Sequence, residues 1–70
     1  MDAETISRKQ SALKTLLRQL DIPAMRSDVT QVANLRWMTR NLAVKNKDHA
    51  MLNTVLAMVR WLILADQRAA

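Results

Sequence analysis

The chain has no cysteine, glycine, tyrosine or phenylalanine, and it has one proline and one histidine. Without cysteine no disulfide can form, and a lone histidine makes a structural zinc site unexpected. A β-sheet uses aromatic and β-branched residues in its strands and glycine in its turns, so this composition argues against one. Half of the residues are nevertheless hydrophobic. We therefore predict an all-α protein that contains no metal or cofactor.

The chain is short for a self-sufficient core. Its 70 residues make at most one domain, which we place at residues 1–70. A single core of this size contributes only about 3–5 kcal/mol of stability, and small proteins make up the shortfall with disulfides, metals or oligomerisation. Since the first two are not expected here, we predict a homodimer.

Apolar residues recur at helical spacing over three segments. They predict helices at about residues 3–20, 28–44 and 48–67. Lys9 interrupts the apolar stripe of the first helix, so we expect its first two turns to be held loosely or by a partner. The connections are short, which predicts that successive helices pack antiparallel. The expected architecture is a compact three-helix bundle, a helical hairpin plus a third helix.

Turn and cap residues separate these segments. Pro23 disfavours helix at the residue before it and ends the first helix. Asp28, or Thr30 just after it, would cap the second helix. Asn46 is the best candidate for a left-handed residue that ends the second helix, and Asp48 would cap the third.

The third helix is more apolar than a small domain requires. From Met51 to Ala65 only Asn53, Thr54 and Arg60 are strongly polar. It could be the central helix, covered by the other two, or it could contact another chain. Trp61 misses the main apolar seam and favours the second explanation, because tryptophan anchors many interfaces. We predict a dimer or partner contact formed by Leu56, Trp61, Ile63 and Leu64.

Basic residues outnumber acidic ones by 11 to 6, which gives a net charge of +5. Four of the acids fall at predicted helix starts, where they complement the helix dipole, so the helix bodies are left basic. Such a charge pattern attracts acidic proteins or nucleic acid, although it can also be a solvated face. Tryptophan and arginine lie together on the second helix, where they could stack on each other or bind carboxylates. The predicted recognition patch is Arg36, Trp37, Arg40, Lys45 and Lys47.

Stoichiometric binding to the acidic surface of a protein partner is therefore the predicted function. Nucleic-acid binding through the basic helix faces is the alternative. A helix-turn-helix is disfavoured, because its reading helix would be the apolar third helix or would open with Asp28 against phosphates. Catalysis is not expected, since His49 beside Asp48 is accompanied by no cysteine, no glycine loop and no paired carboxylates in a plausible pocket.

No membrane association is expected. The longest apolar run, Trp61 to Ala65, is far shorter than the roughly 18 residues that a transmembrane helix needs. The opening residues, MDAET, are acidic and polar, so we expect no signal peptide and a cytoplasmic location.

The least ordinary stretch of the chain runs from Asn34 to Leu42 and continues through Lys45 to His49. In size, helical content and lack of catalytic residues, the chain resembles the small proteins of bacteriophages and mobile elements that bind host regulators or enzymes. The resemblance implies an inhibitor or modulator. Many such proteins are acidic, and the basic character of this one argues against DNA mimicry.

Overall fold

Three helices make up the fold in the computed structural model, which describes residues 2–21, 28–45 and 49–69. They are α1 (Ala3–Gln19), α2 (Val32–Lys45) and α3 (His49–Ala69). Within these ranges there is no strand, and the predicted all-α three-helix bundle is confirmed. α3 begins and ends within two residues of its predicted bounds. The predicted end and cap residues Asn46 and Asp48 lie outside the described residues.

Both ends of α1 are closed by local hydrogen bonds. The Asp2 carboxylate oxygen Oδ1 accepts a hydrogen bond from the Thr5 backbone N–H at 2.6 Å, which caps the first turn. At the other end the Leu20 N–H donates to the carbonyls of Leu16 and Leu17, each at 3.2 Å. Asp21 follows with φ of 55°. Glycine usually takes this left-handed position, and aspartate tolerates it in a chain that has none.

α2 begins at Val32, four residues after the predicted start, and this is a correction. Asp28 does not cap the helix. Its Oδ1 accepts hydrogen bonds from the N–H of Thr30 at 2.9 Å and from the hydroxyl of Thr30 at 2.6 Å. This closed turn competes with helix formation, as short polar side chains commonly do. The helical pattern then starts at the carbonyl of Gln31, which accepts from the Leu35 N–H at 3.2 Å.

The helix directions differ from the prediction in one respect. Lys9, in the first half of α1, lies 5.5 Å from the ring centre of Trp61, in the second half of α3, so these helices are antiparallel. A half-open cleft of about 100 Å³ joins the starts of α1 and α2 to the end of α3. It is lined by Ile6, Gln10, Val29, Thr30, Val32, Leu35, Leu62, Ala65 and Asp66.

α2 therefore also runs antiparallel to α3, and α1 and α2 run in the same direction, not in opposite directions as predicted. The reason is chain length. Residues 20–31 separate α1 from α2. A segment of that size reaches up to about 40 Å when extended, enough to cross the bundle, whereas residues 46–48 are not enough.

α3 is the central helix. It packs against α1 and against α2, while α1 and α2 have no close backbone approach to each other within the described ranges. Val29, in the turn before α2, is 1% exposed and belongs to the same core as the buried residues of the helices. Those helical core residues are Leu13, Leu17, Leu35, Met38, Leu42, Leu52, Val55, Val59 and Leu62. Two flanking helices therefore cover most of the apolar surface of α3.

The position of Val29 predicts a measurable stability effect. Val29→Ala removes two buried methyl groups and should lower the free energy of unfolding by about 2 kcal/mol, at about 0.8 kcal/mol per methyl group plus a cavity term. Urea denaturation followed by circular dichroism measures the change. The matched control is Val32→Ala, three residues away and only half-buried, which should cost much less. Equal losses would show that Val29 does not close the core.

Stability should also fall at acid pH. Hydrogen bonds from the Thr5 backbone and side chain lower the pKa of Asp2 below its ordinary value of 3.8. Those from the side chain and backbone of Thr30 do the same for the pKa of Asp28. Because both folded-state values are lowered, their contribution is present above pH 3.8 and is lost as the pH falls through the folded-state pKa.

Thermal melts between pH 6 and pH 2 test this expectation. The melting temperature should drop below about pH 4, where unperturbed aspartate begins to take up protons. Asp2→Asn keeps a capping side chain that does not titrate, so this variant should show a shallower acid decline. A decline identical to that of the parent chain would contradict the assignment to Asp2.

Candidate functional site

α3 presents one continuous exposed strip. Its buried residues, among them Val55, Val59 and Leu62, share one side of the helix. Successive residues turn by about 100°, so the opposite side forms a strip of its own. Leu64 lies in the middle of that strip and is 52% exposed, the one large hydrophobic side chain exposed in the described part of the chain. The outer strip consists of Ala50, Asn53, Ala57, Arg60, Leu64, Gln67 and Arg68, all exposed.

The four predicted interface residues do not form one cluster. Leu56 and Ile63 are half-buried at one edge of the outer strip, and Trp61 is half-buried at the other, about 140–160° around the helix. All three pack against the protein's own core. Only Leu64 is free of it. Trp61 is thus not free of its own chain, because α1 reaches far enough along α3 to cover part of the indole.

The contact between Lys9 and Trp61 was not predicted from the sequence. The Lys9 ammonium lies 5.5 Å from the centre of the Trp61 ring, within the range of a cation–π interaction. It ties the first half of α1 to α3, where we expected the first turns to be held loosely or by a partner because Lys9 interrupts the apolar stripe. A lysine within the apolar stripe of α1 did indicate that Lys9 contacts some other group. Helical spacing alone does not reveal that this group is Trp61.

The predicted basic patch is assembled in part. Arg36 and Arg40 are exposed and lie one turn apart on the outer side of α2. Trp37 is half-buried beside them and packs against the core. The Asn41 side-chain amide donates to the Trp37 carbonyl at 2.8 Å. Lys45 is the last residue of α2, and Lys47 lies outside the described residues.

Polar neighbours turn inward and leave the arginines on the surface. The Thr39 hydroxyl donates to the carbonyls of Leu35 and Arg36, both at 3.1 Å. Its hydrogen-bonding capacity is thus used within the helix. Arg36 and Arg40 therefore form a pair of outward guanidinium groups, with an indole at their side.

Three of the described acidic residues form contacts close to their own positions in the sequence, and most of the described arginines have no carboxylate partner. Asp2 caps α1 and Asp28 closes the turn before α2. Glu4 pairs with Arg8 one turn away, which is the one salt bridge among the residues that the structure describes. The remaining arginines on the described helices have no carboxylate partner there; they are Arg18, Arg36, Arg40, Arg60 and Arg68.

Other kinds of site find little support in the described ranges. They contain no group of three histidine, cysteine or acidic residues that could hold a metal ion. No helix there has the length and apolar character needed to cross a membrane. The cleft is small, since known ligand pockets measure about 300–1,000 Å³. Its lining is apolar apart from Gln10, Thr30 and Asp66.

Comparison of the chain with protein-family models, curated proteins and solved structures found no match.

Replacing Lys9 should release Trp61. Lys9→Met keeps most of the aliphatic stem and removes the charge, so the free energy of unfolding should fall by about 0.5–1 kcal/mol. The indole N–H resonance of Trp61 should shift in a proton–nitrogen correlation spectrum, while that of Trp37 stays in place. Lys9→Arg retains a cation and should behave like the parent chain. An unshifted Trp61 resonance in Lys9→Met would exclude the contact.

Proposed function

We propose that this chain is a small binding module that acts by stoichiometric attachment to the acidic surface of a protein partner. The observation that carries the proposal is the pair of outward arginines, Arg36 and Arg40, beside the half-buried Trp37. Guanidinium groups bind carboxylates through two parallel hydrogen bonds, and a neighbouring indole adds apolar contact area. Such a group recognises a carboxylate-bearing surface and offers no means of catalysis.

The use of the acidic residues supports this proposal. Within the described ranges, Asp2, Glu4 and Asp28 are engaged close to their own positions in the sequence. They therefore do not neutralise the arginines on the outer helix faces. An exposed cation without an internal partner keeps its charge available for a ligand.

Nucleic acid is the second candidate, favoured by the presence of unpaired arginines on all three helices. Arg18 lies on α1, Arg40 on α2 and Arg60 on α3. A phosphate backbone binds such a distribution without sequence preference and with a steep dependence on salt. The indole beside Arg36 and Arg40 favours a protein surface over a phosphate backbone.

Two further proposals follow from the size and composition of the chain. A homodimer would relieve the small size of the core. A role as inhibitor or modulator of a host regulator or enzyme, acting in the cytoplasm, would suit the size, helical content and charge of the chain.

Charge reversal on α2 tests the function. Arg36→Glu combined with Arg40→Glu should reduce recovery of the protein partner from source-cell lysate at least tenfold, equivalent to about 1.4 kcal/mol. Capture uses the full chain as bait, with and without nuclease. Recovered species are identified and quantified by mass spectrometry.

The matched control is Lys14→Glu with Arg18→Glu, which reverses two cations one turn apart on the exposed face of α1. This variant has the same net charge as the α2 variant and should retain the partner. Equal loss in both variants would point to non-specific attraction. Loss of all bound material on nuclease treatment would assign the basic faces to nucleic acid instead.

A further inference from the structure

Trp61, one of the two tryptophans of the chain, borders the outer strip of α3. It lies at the edge next to α1, under Lys9. Its indole is half-buried and so retains exposed surface.

The outer strip has the spacing of a helix-packing seam. Ala50, Asn53, Ala57, Arg60, Leu64 and Gln67 follow one another at intervals of three, four, three, four and three residues. Any single face of a helix has this spacing, and a second helix packs along such a face where it carries small or apolar residues. Ala50 and Ala57 are small and allow close approach. Leu64 supplies an apolar contact midway across the width of the strip and near its C-terminal end. A helix fits this strip better than a loop does.

The positive charge of the outer strip favours an acidic helix as its binding partner. Arg60 and Arg68 flank Leu64, and Lys9 lies at the Trp61 edge. No acidic residue belongs to the strip, since Asp66 lies on the opposite side of α3, at the cleft. A second copy of α3 packed about Leu64 would bring these arginines against their own like charges, which destabilises a contact. A helix with glutamate or aspartate beside its apolar stripe would neutralise them.

We propose that the outer strip of α3, bordered by Trp61, is the docking surface for an acidic amphipathic helix of a partner protein. This inference goes beyond the proposed function, since it concerns a second surface, and it names the secondary structure and charge of the partner. The incoming helix lies on α3 opposite α1 and α2. Its apolar stripe covers Leu64 and Ala57, and its carboxylates meet Arg60 and Arg68.

A synthetic peptide tests the inference directly. The probe is a 21-residue amphipathic peptide with leucine and alanine on one face and glutamate on both flanks; a second peptide carries lysine in place of glutamate. Titrated into nitrogen-15-labelled protein, the acidic peptide should produce saturable shifts at Ala57, at Leu64 and at the indole N–H group of Trp61. The lysine peptide should produce none.

Variants locate the binding surface. Arg60→Glu with Arg68→Glu should weaken the acidic peptide at least tenfold, and Leu64→Ser should weaken it several-fold. Lys14→Glu with Arg18→Glu makes the same charge change on α1 and should bind like the parent chain. Equal binding of both peptides, or shifts confined to the outer side of α2 around Arg36 and Arg40, would overturn the proposal. So would shifts at Leu64 that grow with protein concentration alone, because the occupant would then be a second copy.

The peptide experiment on α3 and the lysate experiment on α2 test the two proposals separately. If the lysate partner depends on Arg36 and Arg40 while the acidic peptide fails to bind, only the α3 surface is excluded. If the peptide binds α3 and no lysate partner depends on α2, the α2 patch is excluded and the α3 surface stands.

Discussion

Burial of α3 between α1 and α2 is the interaction on which the rest of the structure depends. α3 packs against both other helices, and these do not approach each other closely in the described part of the chain. Removing either neighbour would expose residues such as Val55 and Val59, which are fully buried. A core this small has little stability in reserve. Val29, in the turn before α2, joins the same core and adds to the burial that the helices provide.

This arrangement also determines which surfaces remain for binding. Because α1 and α2 lie on one side of α3, the opposite side stays uncovered, with Leu64 at its centre. The same packing turns Arg36 and Arg40 outward. Acids near the starts of α1 and α2 form local hydrogen bonds, so the outer faces keep a net positive charge. Core formation and charge separation therefore produce the candidate binding surfaces together.

Local interactions explain where prediction from sequence succeeded and where it failed. The helical spacing of apolar residues predicted three helices, since that spacing reflects the backbone geometry itself. The start of α2 was missed because a short-range hydrogen bond from Thr30 to Asp28 outcompetes the first helical turn. The contact between Lys9 and Trp61 was missed because it joins residues far apart in the chain. Periodicity contains no information about which helix faces lie opposite each other.

By itself, the amino-acid sequence determined the all-α class, the presence of three helices and the basic character of the chain, because these follow from composition and from spacing along one segment. Only the tertiary structure decided that α1 and α2 run in the same direction and that α3 is central. It also decided that Trp61 lies partly against α1 while Leu64 remains exposed. The physical reason is that the burial of a residue depends on which helix surfaces pack against each other. The hydrophobic pattern along a chain specifies only that one face of each helix has to be buried.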